Sequence, residues 1–118
     1  TVSSDEEIRL RRFAALMARE IDANAHKGSR EARNNEPVSW WLEEIDRHVE
    51  KLRKAAETHD VTHGPAHKST HAEAAARVRE HAVDVANLAL FLLDSLGMLE
   101  EEPSTVTYGS SIYGEDYR

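Results

Sequence analysis

The stretch Arg79-Glu80-His81-Ala82-Val83-Asp84-Val85-Ala86-Asn87, continuing into Leu88-Ala89-Leu90-Phe91-Leu92-Leu93-Asp94, decides how this chain is read. Its apolar residues recur at helical spacing, with Val78, Ala82, Val85, Ala89, Leu92 and Leu96 forming a stripe. Its polar groups at 80, 81, 84 and 87 are three or four residues apart, so they share one strip of a helix surface. Burying ionisable groups costs several kcal/mol unless they are paired or hold a metal. A helix with His81 and Asp84 set this deep in an apolar segment is therefore a candidate site.

Two further helices are expected. Ser4 is a candidate N-cap, with Asp5, Glu6 and Glu7 favourable in the first turn. Ile8, Phe13, Leu16, Met17 and Ile21 follow at helical spacing, and Gly28 suits the position after a helix end. Arg9, Arg11 and Arg12 read as a solvated face. Residues 29–38 carry the loop signature Asn34-Asn35-Glu36-Pro37. Ser39 can cap a second helix whose stripe is Trp41, Ile45, Val49, Leu52 and Ala56, stopping near Thr58. The three helices are expected near 5–26, 39–57 and 72–96, the last ending at Gly97.

Between the second and third helices, His59, His63, His67 and His71 stand at a fixed step of four. On one continuous helix they would line up as imidazoles able to bind Zn²⁺ or Ni²⁺. Gly64-Pro65 interrupts any such helix, so a solvated histidine-rich loop is the stronger reading.

Strand signals are missing. The fold class expected is all-α: an antiparallel helical bundle. Three amphipathic helices with so few aromatic residues make a thin core, so completion by a second copy, a homodimer, is expected. Residues 1–98 read as the helical domain, and 99–118 as an acidic, then Ser/Tyr-rich tail in which Tyr108, Tyr113 and Tyr117 could dock.

Composition narrows the function. At 118 residues one domain is expected. The net charge of −7, with basic residues scattered among acids, argues against sequence-specific nucleic-acid binding. The longest apolar run, 88–93, is too short for a membrane span, and no basic-then-apolar leader is visible. Cysteine is absent, which removes disulfides and thiolate metal sites and fits a cytoplasmic setting. Neither a Gly-x-Ser-x-Gly elbow nor a glycine-rich phosphate loop occurs.

Four segments carry a family resemblance: His26-Lys27-Gly28, Ser39-Trp40-Trp41-Leu42, Val49-Glu50-Lys51-Leu52 and Asp84-Val85-Ala86-Asn87. In order and spacing, over roughly residues 10–97, the chain resembles the MazG-like branch of the all-α nucleoside triphosphate pyrophosphohydrolases, especially its short virus-encoded versions. The resemblance implies a dimeric helical bundle that cleaves a nucleoside triphosphate between the α- and β-phosphates. It implies Mg²⁺ held by Glu-Glu-x-x-Glu on one helix and Glu-x-x-Asp on the next. It also implies a host-cell cytoplasmic setting if the gene is viral. Divalent cations with oxygen ligands offset the charge of the triphosphate and orient a water.

This chain departs from that pattern. The first motif falls on Arg47-His48-Val49-Glu50-Lys51 and the second on His81-Ala82-Val83-Asp84. Asp84 keeps its carboxylate, whereas histidine stands at 48 and 81 and lysine at 51. Histidine is a poor Mg²⁺ ligand and a good one for Zn²⁺ or Mn²⁺. Three readings follow. A nucleotide is bound with weak or lost Mg²⁺-dependent cleavage, Lys51 and Lys27 supplying charge. Or the site has switched metal, with His48, His81 and Asp84 as ligands of an active hydrolase. Or His48 and Asp84 make a buried hydrogen bond in a structural or partner-binding bundle. Glu44, Glu50 and Glu80 are substitutes for the missing carboxylates; Asp84, Glu80 and Glu44 are the catalytic candidates. Trp40 and Asn87 join the lysines as substrate contacts, with Trp41 assigned to the core.

Overall fold

The computed structural model describes residues 1–27, 33 and 35–100. The described residues form three helices, α1 (Ser4–Ala23), α2 (Val38–Val61) and α3 (Lys68–Ser95), with no strand among them. Short 3-10 turns, Ala25–Lys27 and Pro65–His67, lie beside the connections. The protein is all-α, as expected.

Helix ends follow side-chain chemistry. Ser3, rather than Ser4, caps α1, its Oγ accepting from the Glu6 amide at 3.2 Å. Asn24 closes the other end, its amide side chain donating to the Glu20 carbonyl at 3.1 Å and to Glu20 Oε2 at 2.9 Å. The expected stop at Gly28 lies outside the described residues. On the exposed flank, Arg9 pairs with Glu6, and Arg11 pairs with Glu7 at 3.1 Å, as befits a solvated face.

α2 starts at Val38 directly after Pro37, so Ser39 lies inside the helix and does not cap it. α2 also continues past Thr58, because the Thr58 hydroxyl bonds back to the Lys54 carbonyl and leaves the helix intact. The break comes at Gly64 and Pro65, where Gly64 takes φ +98°, a value that favours glycine. α3 then begins at Lys68, four residues before the expected Ala72. Its end is a Schellman motif: Met98 N–H bonds to Leu93 O at 2.8 Å, Gly97 N–H bonds to Asp94 O at 3.0 Å, and Gly97 takes φ +70°.

α3 is the central element, packed along α2 and more briefly against α1. The pairing is antiparallel. Trp41 meets Phe91, His48 meets Asp84 and Thr62 meets His71, so advancing along α2 means retreating along α3. α1 also runs against α3, with Met17 facing Asn87.

The core is thin. Among the described residues its buried apolar members are Trp41, Ala55, Ala74 and Val83. Two stripes are turned relative to expectation: on α2, Ala55 is buried and Ala56 exposed, and on α3, Ala89 and Leu96 are exposed. On α1 only Leu16 and Met17 of the predicted stripe are partly covered. Ile8 and Phe13 stay exposed, since only the C-terminal half of α1 reaches α3, and Ile21 is exposed where it borders the groove.

Candidate functional site

A groove of about 520 Å³ opens where the C-terminal half of α1 meets the α2–α3 pair. Each helix contributes polar groups from positions three or four apart. α3 supplies Glu80, His81, Asp84 and Asn87; α2 supplies Trp40, Glu44, His48 and Lys51; α1 supplies Glu20, and its C-cap Asn24 follows. The antiparallel register brings His48 level with the His81–Asp84 turn.

Asp84 is the focus. Its Oδ2 stands 3.4 Å from His48 Nδ1 and 3.6 Å from His81 Nδ1. Both nitrogens are buried and have no hydrogen-bond partner among the described residues. The imidazole rings tilt toward one another, with centroids 6.2 Å apart. A donor atom from each of His48, His81 and Asp84 falls within 4.8 Å of the others. The same holds for carboxylate oxygens of Glu20, Glu80 and Asp84. Asp84 thus belongs to two donor triads, one mixed nitrogen and oxygen, the other all oxygen.

The electrostatics follow from this crowding. Burial and the charge of Glu20 push the Asp84 carboxyl up to about 6, helped by a hydrogen bond with Glu20 and the charge of Glu80, and opposed by His81. Two carboxylates close together in a half-buried groove are eased by sharing a proton or by binding a cation. His48 moves the other way. Its pKa is lowered by burial first, then by Lys51 and His81, against the pull of Glu44. A neutral imidazole is the form that can donate a lone pair to a metal.

The groove fits a divalent cation by its donor chemistry. Around a tetrahedral ion with bonds of about 2.0–2.1 Å, neighbouring ligand atoms lie roughly 3.4 Å apart. The two Asp84–imidazole separations, 3.4 and 3.6 Å, match that edge. A direct hydrogen bond is normally shorter. The Glu20, Glu80 and Asp84 oxygens suit a harder ion such as Mg²⁺ or Mn²⁺.

The remaining predicted site residues divide. Trp40 is half-buried on the groove wall, edge-on to Trp41 at 4.9 Å, with the Arg33 guanidinium 5.7 Å from its ring centre. Trp41 is 1% exposed and belongs to the core, as expected. Glu44 pairs with Arg47 at the groove edge. Lys51 is exposed on the rim. Glu50 pairs with Arg53 on the exposed side of α2 and is not among the groove residues. Lys27 ends the 3-10 turn after α1, and its side chain lies outside what is described. Asn87 is 4% exposed and donates its amide to the Met17 carbonyl at 3.1 Å, fastening α1 to α3. Asn87 Oδ1 and Trp41 Nε1, both on groove-lining residues, are buried without a partner among the described residues. They leave one acceptor and one donor for a ligand.

Sequence reasoning overlooked Glu20 and Arg33. Glu20 had a signal, since Glu20 and Asn24 lie four apart beside the apolar pair Leu16 and Met17, the same polar-strip pattern that singled out α3. Arg33 had none, because it reaches Trp40 across a loop. No family model, curated protein or solved structure matches the chain.

Proposed function

We propose that the groove binds a nucleoside triphosphate through a divalent cation held at Asp84, in a MazG-like pyrophosphohydrolase homologue whose Mg²⁺-dependent cleavage is weak or lost. The observation that carries this reading is the convergence of the two buried, unpartnered imidazole nitrogens on Asp84 Oδ2, at 3.4 and 3.6 Å.

A cation bound there would offset phosphate charge and polarise a phosphoryl oxygen. The chain's own residues have separable tasks. His48, His81 and Asp84 hold the ion. Lys51 adds a positive charge at the rim for phosphate. Trp40, with Arg33 on it, offers a face for a base to stack on. With Asp84 on the ion, neighbouring Glu80 and Glu20 can take a proton from a water in the groove. Glu44 stays beside His48 and sustains its basicity. Mg²⁺ turnover is weak in this reading because imidazoles stand where a hard ion prefers oxygen.

A second reading is an active hydrolase using Zn²⁺ or Mn²⁺. The mixed donor set His48, His81 and Asp84 favours it, since three protein ligands with an open position are the pattern of catalytic zinc. One assay separates the readings: pyrophosphate release from a panel of ribo- and deoxynucleoside triphosphates, with Mg²⁺ and then with Mn²⁺, Co²⁺ or Zn²⁺. The expected result is a cation-dependent thermal shift on adding nucleotide, abolished in Asp84→Ala, with little Mg²⁺ turnover. Turnover with the softer metals alone supports the second reading. Robust Mg²⁺ turnover defeats the weak-cleavage claim and points to Glu20, Glu80 and Asp84 as ligands. No response to nucleotide under any condition defeats the binding claim and leaves a structural bundle.

The reading includes a homodimer. Ile8, Leu10, Phe13 and Ile21 expose 39–58% of their surface on α1, and Val38, Leu42 and Leu93 are also exposed. An isolated half-helix is marginal in water, so this face gains from a second copy. Sedimentation of the full chain and of residues 1–100 is the check: a dimer in both is expected, and a monomer in both removes it. A monomeric full chain beside a dimeric truncation assigns the cover to the tail. No described helix is long and apolar enough to cross a membrane; a cytoplasmic setting goes with this reading of a nucleotide-binding, cysteine-free chain.

A further inference from the structure

At the far end of the hairpin from the groove, three histidines meet across the helix break. His59 lies in the last turn of α2, His63 in the connection and His71 in the first turn of α3. Their ring centroids are 4.1 Å apart for His59–His71, 5.1 Å for His63–His71 and 6.1 Å for His59–His63. His67, exposed at the end of the 3-10 turn, makes none of these ring contacts. The Gly64-Pro65 break therefore does not scatter the histidine series. It folds three of its four members together.

Thr62 sets the chemistry of this cluster. It is 7% exposed, and its hydroxyl donates to the Thr58 carbonyl at 2.6 Å. That hydrogen being committed, the 3.2 Å contact between Thr62 Oγ1 and His71 Nδ1 has the imidazole N–H as donor. Neutral His71 is thereby held as the Nδ1–H tautomer, with its Nε2 lone pair free. A buried acceptor behind one ring nitrogen, fixing the tautomer so that the other can bind an ion, is the usual support of a metal-ligating histidine.

We propose that His59, His63 and His71 form a second metal site, for Zn²⁺ or a neighbouring first-row ion. Three imidazoles on one tetrahedral ion, with Zn–N bonds of about 2.0–2.1 Å, have ring centres roughly 5 Å apart. The three observed separations bracket that value, but the ring nitrogens do not all lie within 4.8 Å of one another as the groove donors do, so binding requires the rings to turn. His59 and His71 are 31° from coplanar, a stacked arrangement, so binding turns rings within the cluster. His63, exposed in the connection, is the one free to swing. The ion would tie the end of α2 to the start of α3 and leave a fourth position open to water. This proposal is independent of the groove, which lies two to three helical turns away along α2.

The test is calorimetric titration of Zn²⁺ alone into the His48→Ala/His81→Ala/Asp84→Ala protein, which loses both groove imidazoles and the carboxylate common to both groove triads. One equivalent is expected to bind, with a rise in thermal midpoint. Adding His63→Ala, or in a second variant His71→Ala, is expected to weaken that binding by about tenfold or more. His63→Cys, which keeps a zinc ligand, is expected to retain it. Circular dichroism checks folding, and exposed His63 is the position least able to disturb it. Absence of Zn²⁺ binding in the groove-deficient protein overturns the proposal. So does an affinity unchanged by both His63→Ala and His71→Ala.

Discussion

Asp84 Oδ2 faces His48 Nδ1 at 3.4 Å across the seam between α2 and α3, and the two side chains are displaced from their ordinary titration in the same direction, toward neutrality. Burial is the first cause for both. In the proposed reading, a shared cation relieves both groups.

The pH dependence follows. In the folded chain Asp84 titrates at about 6, against 3.8 for an unperturbed group. Between those values the folded state holds a proton that the unfolded state has released. Its contribution to stability falls as pH rises through that window. His48 has the opposite sign: its folded pKa lies below 6.5, so its contribution is regained as pH rises through that range. Asp84→Asn removes the first effect. In chelator at pH 7 it is expected to be more stable than the native chain by on the order of 1 kcal/mol, the gap closing toward pH 4. Urea titrations across pH measure this, and parallel curves for the two proteins would count against it.

Glu20→Gln tests the α1 contribution directly. Removing the Glu20 charge is expected to bring the Asp84 midpoint down, because Glu20 is the largest influence on it after burial. Carboxyl ¹³C NMR of the titrating aspartate reads the shift. An unmoved midpoint would mean that α1 does not close the groove in solution.

The adjacent tryptophans are expected to separate stability from binding. Trp41→Ala empties a site that is 1% exposed and should cost about 3–5 kcal/mol in chemical denaturation. Trp40→Ala should cost less than about 1 kcal/mol, since its wall position is only half-buried, yet weaken nucleotide binding. Equal losses of stability would show that both rings serve the core.

Asn87→Ala breaks the 3.1 Å bond to the Met17 carbonyl. A loss of about 1–2 kcal/mol is expected, with faster amide hydrogen exchange confined to α1. Exchange rising equally in all three helices would show that α1 is not held locally by this bond.

The chain's local patterns determined three helices, the Gly64-Pro65 break, the Gly97 stop and the polar strip of Glu80, His81, Asp84 and Asn87. Such features depend on residues within one or two turns, and helical periodicity exposes them. The family resemblance, rather than periodicity, set His48 opposite that strip. Tertiary structure decided the rest. Ala55 rather than Ala56 is buried because the facing of α2 is set by its fit to α3. Glu20 joins Asp84 only because α1 docks by its C-terminal half, which also leaves Ile8 and Phe13 uncovered. His59, His63 and His71 gather although the helix between them is broken, since an antiparallel hairpin brings its two ends together. Periodicity fixes which residues share a face; the packing of one helix on another fixes what that face meets.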